Sequence, residues 1–485
     1  MRALRWPALA VVILTALIVG ASLTRPDAAT SHAPQSSSRP VVATDLVCPN
    51  VSGTDTSPST YTIANVSSAL PGNHRLNARV QTTPLSGTKA KTTSLPPRST
   101  HRVKVTTTVA PLLIEADGPG AGAVVADQSR LISGGVLRGL FTAPCLQPAT
   151  DWWITGADGR VGYSDTLVLA NPGTTLANLT VSVWSTKGQI QPPKLQSYTV
   201  EPKSAQLLTV SSYAPDGALL TIHVHANSGR LVSEVLDRRV SGISPGGLDW
   251  IPPTQRPAKD LVVPGYLGGP GPRHLVLGNP GDRDATVTLR LSTRSGNFAP
   301  AGHQTVIVRA GHTADVDLTS TLAGSPGAVL VHSDQPVTGA GISSAGALND
   351  RDHPDIQWQP AALPVSSPAV LADNTPPFDR NAPIYMTAPD AAAKLRIATT
   401  TGQSRVLSIR AGRTLAWDPE AALGTASHGP LVFSPVSGGQ VYVSRTLFAY
   451  GLHGPLVTAE QPTLLPAAIS LPAAVRDDRV AAPGR

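Results

Sequence analysis

The stretch Leu275-Val-Leu-Gly-Asn-Pro-Gly281 decides the fold: a short apolar strand runs into an Asn-Pro-Gly turn. Proline presets the first corner, and glycine is expected to take the positive φ of the second, which is type II turn chemistry. The same text stands at Leu167-Val-Leu-Ala-Asn-Pro-Gly173, a worn copy at Ile384-Tyr-Met-Thr-Ala-Pro-Asp390, and a fainter one at Thr62-Ile-Ala-Asn-Val-Ser67. The aligned positions Asn65, Asn171, Asn279 and Ala388 are spaced by 106, 108 and 109 residues. So steady a period marks tandem repeats of one kind.

Just after each turn, apolar and polar residues alternate. Leu76, Ala78 and Val80 alternate with Asn77, Arg79 and Gln81, and Leu179, Val181 and Val183 with Thr180, Ser182 and Trp184. The third and fourth repeats show the same with Val287, Leu289 and Leu291, and with Ala393, Leu395 and Ile397. Period two predicts a strand with one buried and one wet face. The repeats continue in parallel: Val308-Arg-Ala-Gly-His-Thr313 matches Ile409-Arg-Ala-Gly-Arg-Thr414, and each repeat ends in another strand, at 131–137, 231–236, 337–342 and 441–447. Roughly seven short strands per 100 residues, with no amphipathic helix, predict an all-β chain of tandem immunoglobulin- or fibronectin-like β-sandwich domains. A propeller in which each period supplies two four-stranded blades is the alternative. The expected boundaries are a signal or transmembrane helix at 1–24, a disordered linker at 25–44, sandwiches at 45–150, 151–250, 251–360 and 361–470, and a disordered tail at 471–485. Trp152/Trp153, Trp250 and Trp358 recur near the repeat ends, where core or interface packing is expected.

Composition narrows the function classes. Of 485 residues only 14% are charged and 4% aromatic, and the net charge of +7 forms no basic block suited to nucleic acid. Arg2 and Arg5 precede an uncharged run over 7–23, an export signal. The run is long enough to span a bilayer, while Val19-Gly20-Ala21 offers a cleavage site, so an uncleaved anchor and a cleaved signal both stand. The two cysteines, Cys48 and Cys145, bracket the first repeat and are expected to form a disulfide in an exported chain. Closing so long a loop stabilises by about 4–5 kcal/mol in the chain-entropy account.

Motifs of catalysis and metal binding fail on physical grounds. Gly242-Ile-Ser244-Pro-Gly246 has the nucleophile-elbow spacing, but Pro245 lacks the N–H an oxyanion hole needs. Ser86-Gly-Thr-Lys89 lies between strand patterns rather than at a helix start. His223 and His225 share one face of a strand, expected to be solvated, and no third ligand lies nearby in sequence. The loop Asn349-Asp-Arg-Asp-His-Pro-Asp355 departs from calcium-loop spacing and is expected to be a solvated turn. Trp184 falls on the polar face of its strand, an exposed ring and the candidate ligand contact. No catalytic residue, cofactor site or metal site is assigned.

The Arg-flanked N-terminal segment, the Pro/Ser spacer, the cysteine pair round repeat one and the Asn-Pro-Gly repeats together resemble an actinobacterial family of exported proteins of unknown function. The resemblance covers nearly the whole chain and implies an envelope location. The expected function is therefore a non-enzymatic cell-envelope protein, a scaffold or adhesive module tethered to the membrane, whose partners are envelope components or other surface proteins. The alternative is a secreted or anchored protein that binds wall polysaccharide or peptidoglycan.

Overall fold

The computed structural model describes residues 37–50, 57–72, 74–87, 89–106, 110–322, 324–346, 352–376, 382–465 and 469–471. Residues 1–24, read as the export helix, lie outside these. Among the described residues, no helix is long and apolar enough to cross a membrane. The chain divides into two units. In the smaller one, Ser37–Arg39, inside the expected linker, pairs antiparallel with Ile469–Leu471, which straddles the expected boundary between the fourth sandwich and the tail. The larger unit spans residues 41–467.

The larger unit is all-β, and each sequence period supplies two sheets. In the first, Ala43–Cys48, Leu112–Asp117, Ala78–Pro84 and Lys91–Leu95 form one sheet, and Thr100–Val105, Ser59–Asn65, Val124–Ile132 and Gly139–Pro144 form the other. Leu46, Val80 and Ile114 of the one pack against Tyr61, Ile63 and Ala126 of the other. The same strand order recurs in the later periods. In the third, one long strand, Gly327–Ala345, serves both sheets: it pairs with Ala285–Thr293 through residues 327–333 and with Arg273–Asn279 through residues 338–343. The alternating residues after the turns face inward as their pattern predicts, with Val287, Leu289 and Leu291 at 0% exposure; the exception is Leu76, which precedes its strand and is 37% exposed.

The Asn-Pro-Gly motif differs from its expected chemistry. Neither Gly173 nor Gly281 has a positive φ, so the turn is not type II. The asparagine itself shapes it. Buried Asn279 accepts from Gly281 N–H through Oδ1 (3.0 Å) and donates through Nδ2 to the carbonyls of Arg283 (2.7 Å) and Val308 (3.0 Å). Asn171 repeats all three bonds with Gly173, Thr175 and Val200, and Asn65 makes the equivalent set with Ser67, Leu76 and Leu95. Glycine eases the close approach, since a Cβ on Gly281 would lie 3.2 Å from Asn279 Oδ1, although Ser67 fills the same position in the first period. The motif is an Asx turn that also ties down the end of a neighbouring strand.

The four sandwiches close into a ring. Sheets of adjacent periods pack face to face: Val47 and Leu113 share a cluster with Val168, Ala170 and Val232, and Val276, Ile342 and Trp358 join it from the third period. Leu267 and Ala345 of the third period pack on Val457 of the fourth, and Ala64, Val66 and Val125 of the first on Val370, Ala372 and Val432 of the fourth, which completes the circuit. The expected tryptophan packing holds at these seams: Trp250 and Trp358 are 1% and 0% exposed. Trp358 Nε1 donates to Asp237 (2.8 Å), and its indole rests on Gly156, where a Cβ would lie 2.2 Å from the ring. Each period supplies two facing sheets, consistent with a sandwich, and their outer faces are also packed on the neighbouring periods.

The last strand of each sandwich, Gly139–Pro144, Ser244–Ile251, Asp355–Pro360 and Gly454–Glu460, lies against the last strands of its neighbours around the ring axis. Asp355, expected in a solvated turn, is fully buried there, while residues 349–351 of that loop lie outside the described set. Its Oδ2 accepts from the backbone N–H of Leu140 (3.1 Å) and Val457 (3.0 Å), and Oδ1 from that of Leu248 (3.2 Å), so one carboxyl joins the other three sandwiches. Asp249 accepts from Trp358 N–H (2.8 Å) and Thr458 Oγ1 (2.9 Å). Burial pushes the Asp355 carboxyl up to about 7 against the lowering pull of its three N–H donors, and burial also raises Asp249 and Glu234 well above the usual range.

Two outcomes follow from these bonds. Asn279→Ala leaves three partners unpaired and lowers the free energy of unfolding by about 2–3 kcal/mol in urea titration; an unchanged midpoint contradicts the role assigned to the motif. Asp355 ionises near 3.8 when unfolded and near 7 when folded, so between those values the folded chain holds a proton the unfolded chain has lost. Stability therefore falls as pH rises from about 4 to 7. The thermal midpoint is expected to be lower at pH 7.5 than at pH 5, with a shallower slope in Asp355→Asn, and an equal slope in that variant rules Asp355 out as the source.

Candidate functional site

The second sandwich carries a polar and aromatic cluster on its face toward the third. Asp151–Ala157 pairs with Leu220–Ser228, which sets Asp151 opposite His225 and Trp153 opposite His223. On the other side Leu220–Ser228 pairs with Ala177–Ser185, which sets Trp184 opposite Thr221. Side chains alternate across a strand, so these residues share one face while Ile222 and Val224 fill the core on the other.

Asp151 Oδ1 bonds His225 Nδ1 (2.9 Å) and His223 Nε2 (3.1 Å). Its Oδ2 accepts from Thr150 Oγ1 (3.1 Å) and from Arg256 Nη2 (3.1 Å), the latter on the link between sandwiches two and three. Burial pushes the Asp151 carboxyl up, but the bonds from His225, His223 and Thr150 outweigh it and hold it at about 2. Burial lowers His223, partly offset by Asp151, which favours the neutral imidazole. Trp153 lies flat on His223, centroids 3.9 Å apart and planes 8° from parallel, and stacks on Trp184 at 5.7 Å.

Two clefts flank the cluster. One of about 430 Å³ is bounded by Trp153, Trp184, Pro257 and the Asn279–Arg283 turn of the third sandwich. The other, about 640 Å³, is apolar and lined by Leu146, Trp152, Pro252, Pro253, Leu363 and Leu464, with Asp151 and Arg256 among its polar residues. Its walls come from the three links between sandwiches and from the segment after the last strand, so it sits where the links converge at one end of the axis.

The expected site residues fare unequally. Cys48 and Cys145 are bonded across 97 residues and buried. Trp184 is not the exposed ring its polar-face position suggested: it is 7% exposed, covered by Trp153, and reaches only the wall of the smaller cleft. His223 and His225 share a face as expected; His225 keeps 45% of its side chain exposed while His223 is half-buried, and the third donor is Asp151, 72 and 74 residues away. Ser244 is the exposed first residue of an otherwise mostly buried hairpin strand, and Ser86 lies in a turn with φ of 68°. What the sequence concealed was register: nothing in the text around Asp151 announces that it faces the histidines.

No curated protein matches the chain. A solved structure, a tetra-tandem repeat in the extending region of a large adhesion protein, is similar at 13% identity over 86% of this chain and 98% of that chain. Its TM-score of 0.08 lends it no weight for fold or function. A family of unknown function, DUF5719, matches residues 67–420. The chain belongs to the DUF5719 family.

Proposed function

We propose that this chain is a non-enzymatic, extracytoplasmic interaction module of the cell envelope, held at the membrane by its N-terminal segment, and that its partners dock at the end of the ring where the links converge. The observation that carries this proposal is the apolar cleft of about 640 Å³, lined by prolines on links that the closed ring holds in place. Its volume suits a ligand or an inserted partner side chain, and its walls are preformed. A passive spacer gains length by stringing domains out, and a closed ring forgoes that length. The buried Cys48–Cys145 bond supports an oxidising compartment.

The sandwiches are taken as immunoglobulin-like. In the first, the second and fifth strands are neighbours in one sheet and the third and sixth in the other, as in the immunoglobulin core. The first strand departs from that pattern by pairing with the sixth, and the seventh by pairing with the second. A second reading, binding of wall polysaccharide or peptidoglycan, draws on the stacked Trp153–Trp184 pair beside the smaller cleft. The low exposure of Trp184 weighs against it, because a sugar platform needs an open ring face.

Fractionation of cells making a C-terminally tagged chain, with protease added to intact cells, tests the location. Recovery in the membrane fraction with the ring shaved from outside is the expected result. A shortened chain in the medium overturns the anchor, and a protease-protected chain with reduced cysteines overturns the extracytoplasmic location.

A further inference from the structure

Asp151, His223 and His225 each offer one donor atom, and the three atoms lie within 4.8 Å of one another. We propose that these three side chains form a binding site for a first-row divalent cation, with zinc as the probe. Two imidazole nitrogens and one carboxylate oxygen suit zinc and its neighbours, whereas calcium and magnesium prefer sites built wholly of oxygen. This inference stands independently of the interaction role proposed above.

The geometry is close to what a cation needs. Bonds of about 2.0–2.1 Å in a tetrahedral site set ligand atoms about 3.3 Å apart. The present contacts of 2.9 and 3.1 Å therefore open by a few tenths of an ångström, while the two imidazole nitrogens, within 4.8 Å of each other, draw toward that spacing. Side-chain exposures of 45% for His225, 20% for His223 and 19% for Asp151 leave an approach for the ion and room for that shift. Both ring nitrogens now bond the same carboxyl oxygen, and a cation would take the place of the protons between them, bound by the same three atoms.

The surroundings hold the donors in place. Register pins Asp151 opposite His225, and the strand spacing puts both imidazoles on one face. Trp153 lies flat on His223 and limits rotation of that ring. Arg256 and Thr150 occupy Oδ2 and leave Oδ1 aimed at the histidines. The Arg256 charge opposes a cation, but its side chain is 75% exposed, so the repulsion acts through water-rich surroundings and the arginine is free to swing away. Three protein donors leave one position for water or an oxygen donor from a bound partner, as in open zinc sites. Asp151 and Arg256 also line the larger cleft, so the ion would sit beside it.

Calorimetric titration of zinc into the full chain, carrying no polyhistidine tag, tests the site. The expected result is one saturable site, weakened at least about tenfold in His223→Ala and Asp151→Asn and unchanged in His332→Ala, an exposed histidine paired with Asp260. Absorption of cobalt in place of zinc gives a second readout, and its ligand-field bands are expected to vanish in His225→Gln. Circular dichroism checks that each variant is folded. Should His223→Ala unfold, the His225→Gln cobalt spectrum decides, because that side chain is the most exposed of the three. No zinc binding by the wild-type chain, or equal binding in all variants, overturns the proposal.

Discussion

Four edge strands meet at the axis of the ring, and an edge strand presents backbone N–H groups that no sheet pairs. Buried away from water, each such group needs an acceptor. Side chains supply it here: Asp355 receives Leu140, Leu248 and Val457, Asp249 receives Trp358, and Thr458 Oγ1 receives Thr142. Burying carboxyl groups is costly, and the upward push on Asp355 and Asp249 registers that cost. Leaving several strand edges unsatisfied would cost more, since each buried donor without a partner loses about 1–3 kcal/mol. Closure of the ring depends on this exchange.

Around that axis the apolar seams do the larger share of the packing. The outer faces of sheets that would be wet in an isolated sandwich carry Val168, Ala170, Val232, Val370 and Val432, each at most 1% exposed. Small residues let the sheets approach, as Gly156 does beneath the Trp358 indole. The disulfide adds a separate constraint by closing most of the first period on itself. The candidate site is a by-product of the same closure. The outer face of the second sandwich turns toward the third, and the link that carries Arg256 passes over Asp151.

Much of the fold was legible because period-two alternation and the repeated asparagine are local signals. Leu289 and Leu395 announce inward-facing positions without reference to any partner strand. The asparagine motif gave the period correctly and its own chemistry incorrectly, because Asn-Pro-Gly has the spelling of a type II turn. Its long-range bond to Val308 is invisible in the text. Ring closure was equally hidden: the valines that seal the seams belong to strands already read as apolar, and Asp355 resembles a loop acid. The candidate site failed to appear for a topological reason, since Asp151 and His225 are joined only by strand register. Trp184 was misjudged because alternation identifies a face and cannot say whether another sandwich covers it.

Small-angle X-ray scattering on the full chain tests the closed ring most directly. A compact body of the size of residues 41–467 has a radius of gyration of about 22 Å. Four sandwiches strung in line give roughly twice that value. A radius near the compact figure, with a bell-shaped pair-distance distribution, is what a ring closed at Asp355 predicts. An elongated distribution with a long tail would contradict it.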